Sequence, residues 1–273
     1  MIGVTQLLNT KLLPLAPLII EYLVVAGGGG ANYAGGGGGG YRTNVSGDTS
    51  GGNSSAEAAY TGTSGTAYTV TVGGGGPGGF QSSAANQKGG DSTFDTITSI
   101  GGGKSSNLWT NNGFNGGSGG GANVIGGANT SRSGGTGIAG QGFRGGNASN
   151  GAGDVTCGGG GAGGQGGDLY NNSGWNGTAG GAGLVSSIDG LNITRSAGGA
   201  GFNGTFPPQP HGANTGAGGV SNNSGRSGVV ILKYPADYST VKTGTLASSV
   251  DSTTFSGYKV ESFTSGTGTI TFN

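Results

Sequence analysis

Hydrophobic and polar positions alternate in only a few short stretches of this chain, most of them outside its middle. Residues 66–72 are the cleanest: Tyr68, Val70 and Val72 fall on one face and threonines on the other, as a half-buried strand requires. Residues 21–26 (EYLVVA) read as a strand and 92–100 (STFDTITSI) as a less regular one. Residues 229–234 (VVILKY) are apolar on both faces, which predicts a strand buried on both sides. Residues 258–263 and 269–272 read as a closing hairpin turning through 264–268, with Ile270 and Phe272 on its buried face. From about 101 to 228 there is no helical period and almost no strand pattern.

Glycine accounts for that blank middle. All but five of the 72 glycines lie between 27 and 228, yet no strict Gly-X-Y register runs through them, so a collagen triple helix is excluded. Leu, Ile, Val and Phe together make up under a fifth of the chain, too little for an ordinary hydrophobic core. Two structures suit such a middle: a flexible low-complexity linker, or a bundle of extended polyglycine-II-like helices bonded laterally through N–H and C=O groups. Eleven basic and eleven acidic residues cancel, so the self-repulsion of a disordered chain is missing and the bundle is favoured. The expected fold is mostly β and irregular: short strands flanking a glycine-rich bundle, almost no α-helix. Asn-Gly pairs at 112–113, 115–116, 150–151, 176–177 and 203–204 suit the chain reversals at its ends.

Three regions follow. Residues 1–20 form an apolar arm, stiffened by Pro14 and Pro17 and a poor transmembrane helix for the same reason. Residues 21–235 are the glycine-rich domain, and 236–273 the closing β module, where Thr and Ser rise. The arm residues Leu12, Leu13, Leu15, Leu18, Ile19 and Ile20, with Ile270 and Phe272, are candidates for assembly contacts, because exposed apolar patches mark interaction sites. Aromatics sit among Asn- and Ser-rich spacers. Trp109, Phe114, Tyr170, Trp175 and Phe206 are candidates for contact with a receptor, since aromatic faces beside Asn suit sugar rings. The alternative is that such residues plug the bundle ends.

Chemistry is sparse. Basic residues are scattered singly at zero net charge, which gives no electrostatic case for nucleic acid. The run 101–105 (GGGKS) mimics the end of a phosphate-binding loop, but Thr98 stands where that loop needs glycine. His211 is the only histidine and lies in a proline-rich stretch; Cys157 is the only cysteine and reads as an inert small residue. No catalytic, cofactor or metal constellation is expected, nor membrane insertion.

Three stretches in order, 21–45 (EYLVVAGGGGANYAGGGGGGYRTNV), 68–79 (YTVTVGGGGPGG) and 225–235 (GRSGVVILKYP), resemble the glycine-rich domain of tail-fibre and other structural proteins of bacteriophages, notably marine ones. More remotely, the architecture resembles phage tail adhesins that stack polyglycine-II helices. The resemblance implies a non-enzymatic virion protein, a tail fibre or receptor-binding adhesin. Its partners would be further copies of itself, other virion proteins, and host surface polysaccharide or an outer-membrane protein. The alternatives are a self-assembling structural or decoration protein of a capsid, tail or extracellular filament with no ligand and, more remotely, an ice-binding protein. Residues 257–272 resemble a β element that in such proteins precedes an EYLVVAGGGG strand; here it closes the chain. It pairs either within its own chain or with a neighbouring subunit.

Overall fold

Two antiparallel sheets face each other across a shared core. The computed structural model describes residues 16–79, 87–107, 112–125, 130–149, 153–170, 176–202 and 211–273, and among them there is no helix. The first sheet runs Ala247–Asp251, Tyr258–Ser265, Val229–Pro235, Ile19–Val25 and Tyr41–Thr43, with Tyr60–Thr61 also paired to Ile19–Val25. The second runs Thr240–Lys242, Thr267–Phe272, Ala67–Thr71, Ser92–Phe94 and Ile97–Ser99. Ile20, Tyr22, Val24, Val230, Leu232 and Phe263 from the first pack against Tyr68, Val70, Phe94, Ile270 and Phe272 from the second. The alternate residues Leu23, Val25, Val229 and Ile231 are buried on the opposite face, beneath Ile188 and Leu184. The two-sided burial expected of the VVILKY stretch is thus present, and Ile19–Val25 shares it.

The loop that supplies Ile188 is pinned by a buried ion pair, Arg195 to Asp189 at 2.5 Å, and by Ser186 and Ser187, which bond Asp48. In the sandwich, Glu261 is fully buried. Its carboxylate accepts bonds from Lys242 Nζ at 2.6 Å and from the hydroxyls of Ser248, Thr240 and Tyr234, so the buried charge is compensated by four donors.

One expectation needs correcting. Tyr258–Ser265 and Thr267–Phe272 do not pair with each other as a hairpin. The first pairs with Val229–Pro235 and Ala247–Asp251, the second with Ala67–Thr71 and Thr240–Lys242. Between them Gly266, at φ 94°, carries the chain from one sheet into the other, a conformation in which a side chain is strained. Both strands pair within the chain, and Val229–Pro235 separates Tyr258–Ser265 from the N-terminal Ile19–Val25 strand.

The glycine segments leave this sandwich and return to it repeatedly. Segment 35–40 lies at their centre. Its N–H groups donate in turn to Cys157, Gly219, Gly103, Gly160, Gly216 and Ile100, at 2.8–3.0 Å. Partners therefore recur every third residue: 35 and 38 bond one neighbour, 36 and 39 a second, 37 and 40 a third. The carbonyls follow the same rule, accepting from Gly121 and Ser118, from Gly199 and the Ser196 hydroxyl, and from Gly29 and Ala26. Six segments surround one, and every backbone polar group of 35–40 is paired. Segment 26–31 repeats the pattern, donating to 40 and 37, to 90 and 87, and to 226 and 223. A β-strand bonds two neighbours at a period of two; a period of three radiates bonds in three directions.

Only glycine fits such spacing. A Cβ on any of residues 35–39 would stand closer than 3.0 Å to a backbone carbonyl of a neighbouring segment. Backbone packs on backbone here, and hydrogen bonds replace the apolar burial the composition lacks.

Candidate functional site

The bond register fixes the direction of each segment. Segments 26–31, 73–79 and 100–106 run away from the sandwich side by side, as Gly76 bonds Gly28 and Gly102 bonds Gly27. Segments 35–40, 87–90 and 223–228 run back antiparallel to them, into Tyr41–Thr43, Ser92–Phe94 and Val229–Pro235. The described residues of the connections, 32–34, 107, 112, 123–125, 130, 147–149, 153–156, 168–170, 176–177 and 220–223, consequently gather at the end far from the sandwich.

That distal end is polar and tightly tied. Asn32 N–H donates to Ser105 Oγ at 2.7 Å, Ser106 Oγ to Asn123 Oδ1 at 2.6 Å, and Asn222 N–H to the Asn32 carbonyl at 2.6 Å. Two small sheets flank it: Ser131–Arg132, Ala148–Ser149 and Leu169–Tyr170 form one, and Asn176–Gly177, Val155–Thr156 and Asn123–Val124 the other. Beneath them lies a small core of Ala122, Val124, Ala148, Val155 and Cys157. Asn32 Nδ2, Asn107 Oδ1, Asn123 Nδ2 and Ser221 Oγ are buried here without a bonding partner, the sort of position that ordered water occupies.

The candidate contact residues divide. Tyr170 is 52% exposed at the end of the Leu169–Tyr170 strand. Phe114 is half-buried near this end, its ring covered by Lys104 Nζ at 4.5 Å from the centroid, so one of its faces is already occupied. Trp109, Trp175 and Phe206 lie outside the described residues. Tyr33, which reasoning on spacers overlooked, stands in the 32–34 turn with its ring 5.7 Å from that of Phe202 and is almost fully buried. It plugs the bundle end. Its signal was present: an aromatic between two glycine runs, at a reversal.

The assembly candidates fall differently. Leu18, Ile20, Ile270 and Phe272 are buried within the chain's own core; Ile19 is 43% exposed. Leu12, Leu13 and Leu15 lie outside the described residues. Cys157 is buried and its thiol is pushed up to about 12, chiefly by desolvation, which keeps it protonated and unreactive. Among the described residues no three His, Cys, Asp or Glu side chains come together, and no helix is long and apolar enough to cross a membrane.

Residues 10–235, most of the chain, match a family described as a glycine-rich domain. The chain belongs to the glycine-rich domain family. No curated protein and no solved structure matches it. In this glycine-rich domain the family match ends at Pro235, the last residue of Val229–Pro235, so the strands beyond it that complete the sandwich lie past the match.

Proposed function

We propose that this glycine-rich domain protein is a non-enzymatic virion component, a tail fibre or receptor-binding adhesin of a phage, and that its glycine segments are polyglycine-II helices. The observation that carries the reading is the separation of a β base from a distal end built of Asn-, Ser- and aromatic-bearing turns, joined by a glycine-rich bundle. A bundle bonded at every third residue in three directions is the hydrogen-bond pattern of packed three-fold extended helices. Such a bundle holds loops rigidly without committing their sequences, which is what a variable recognition surface requires. The resemblance of 21–45 and 225–235 to phage structural proteins supplies the setting, a virion, and the host surface as partner.

Polar, hydrogen-bond-rich turns with an exposed Tyr170 ring suit a saccharide better than an apolar ligand. Purified protein applied to an array of bacterial surface polysaccharides and lipopolysaccharides should bind a restricted subset, and Tyr170→Ala should weaken that binding at least several-fold while the melting temperature holds. Binding to no glycan and to no bacterial cell would remove the adhesin reading and leave a self-assembling structural protein without a ligand.

A further inference from the structure

The glycine lattice is finished differently on its different sides. Along one edge, side-chain oxygens stand in for missing backbone carbonyls. Asn112 Oδ1 accepts the Ser133 N–H at 3.1 Å, Asn115 Oδ1 that of Thr136 at 2.8 Å, and Asn147 Oδ1 that of Gly134 at 2.9 Å. Elsewhere Asp91 Oδ1 closes Gly101 at 2.7 Å and Thr178 Oγ1 closes Gly158 at 2.9 Å. These caps work as charges and bulges do on a sheet edge: they remove a template for further pairing.

The groove between segments 179–183 and 197–200 has no such caps. It encloses about 510 Å³, walled mostly by glycine and alanine, among them Ala179, Ala182 and Ala197, with Thr194, His211 and Val220 also lining it. The N–H groups of Ala179, Gly180, Ala182, Gly183, Ala197 and Ala200 make no hydrogen bond among the described residues, nor do the carbonyls of Gly180, Gly183 and Gly198. Donors and acceptors thus recur at i and i+3, and the methyl groups beside them cannot satisfy any. Ala179, Ala182 and Val185 form an exposed apolar row at the same spacing, and exposed Leu191 and Ile193 follow on the adjoining loop.

Segment 73–79 is a second uncapped edge. Gly74 is exposed, a Cβ there would meet nothing within 4 Å, and the N–H groups of Gly74 and Gly75 and the carbonyl of Gly75 make no hydrogen bond among the described residues. The two edges lie on opposite sides of the lattice. From 73–79, hydrogen bonds lead through 26–31, 35–40 and 157–161 before reaching 178–183.

We propose that the groove binds a second copy of this chain, with residues 73–79 of one copy seated against 179–183 and 197–200 of the next, so that the glycine lattice continues from molecule to molecule. Three observations select this occupant. Open groups at a three-residue period match only an extended backbone with that period. Walls mostly of glycine and alanine admit backbone, which favours an incoming segment that is itself glycine-rich. The chain carries zero net charge, so copies do not repel one another. A contact between two different edges is heterologous; repeated, it builds a filament or closes a ring. The inference stands on the two edges and not on the functional reading above.

Sedimentation velocity on the full chain, up to about 0.1 mM, tests it with two blocked variants. Ala182→Trp fills the groove from an exposed position, and Gly74→Val thickens the opposite edge where space is open. Wild type should form oligomers that grow with concentration, each variant alone should remain monomeric, and an equimolar mixture of the two should stop at dimers. Should either variant melt below wild type, Ala179→Trp or Pro77→Glu replaces it. A monomeric wild type, variants that assemble as wild type does, or a mixture without dimers would overturn the proposal.

Discussion

Gly37 shows what a single residue contributes here. It donates to Gly103 and accepts from Gly29, and an added methyl group would run into the Ser118 and Gly119 carbonyls, both held in bonds of their own or of their neighbours. Overpacking usually costs about 1–3 kcal/mol, and a backbone bonded on every side relaxes less than a side chain does. Gly37→Ala should therefore destabilise the protein by about 3 kcal/mol or more in urea unfolding, whereas Gly74→Ala, facing open space, should be neutral or stabilising by about 0.5 kcal/mol. Equal effects at the two sites would refute the packing argument. Charge acts at this scale too. Arg144 bonds both Asp168 oxygens, and this hydrogen bonding holds the Asp168 carboxyl below its usual range. Its contribution to stability is full above about pH 4, the unfolded value, and is lost as pH falls through the lowered folded value, because the unfolded chain then takes up the proton first. In Asp168→Asn that portion of the acid-side loss in melting temperature should disappear.

At the scale of elements, the closing strands belong to the core of the sandwich. Phe263, Ile270 and Phe272 are buried in it, Val260 is buried on the opposite face of the first sheet, and Tyr68 and Tyr234 pack their rings on Phe272. Removing 257–273 should unfold the sandwich and yield insoluble protein, and Phe272→Ala should cost about 3–5 kcal/mol. A soluble truncated chain with native near-ultraviolet circular dichroism would show that these strands serve something outside the fold. Strands with alternating or doubly apolar patterns were legible in the sequence because side chains declare their faces: Tyr68 and Val70 inward, VVILKY inward on both sides. Partner choice was not legible. Residues 258–272 look like a hairpin because neighbours in sequence commonly pair, and only the φ of Gly266 within the folded chain diverts them into separate sheets. The glycine segments could be read as extended, yet nothing in them names their neighbours. Without side chains, register is set by where the strands at each end anchor them. The distal site was half legible for the same reason: aromatics at reversals pointed to Tyr170, but burial of Tyr33 against Phe202 depends on which turns meet.

In the whole molecule, a modest apolar sandwich anchors a lattice whose order comes from hydrogen bonds in three directions, and that lattice positions a polar distal end. Native-state hydrogen exchange of glycine amides, run in dilute solution and read by NMR after quenching, tests this most directly. All six amides of residues 35–40 should be strongly protected, since each N–H is paired and buried, while at the lattice edge Gly181 should be protected and Gly180 and Gly183 exchange quickly. Fast exchange throughout 35–40, or protection at every second residue as in an edge β-strand, would contradict the three-residue lattice.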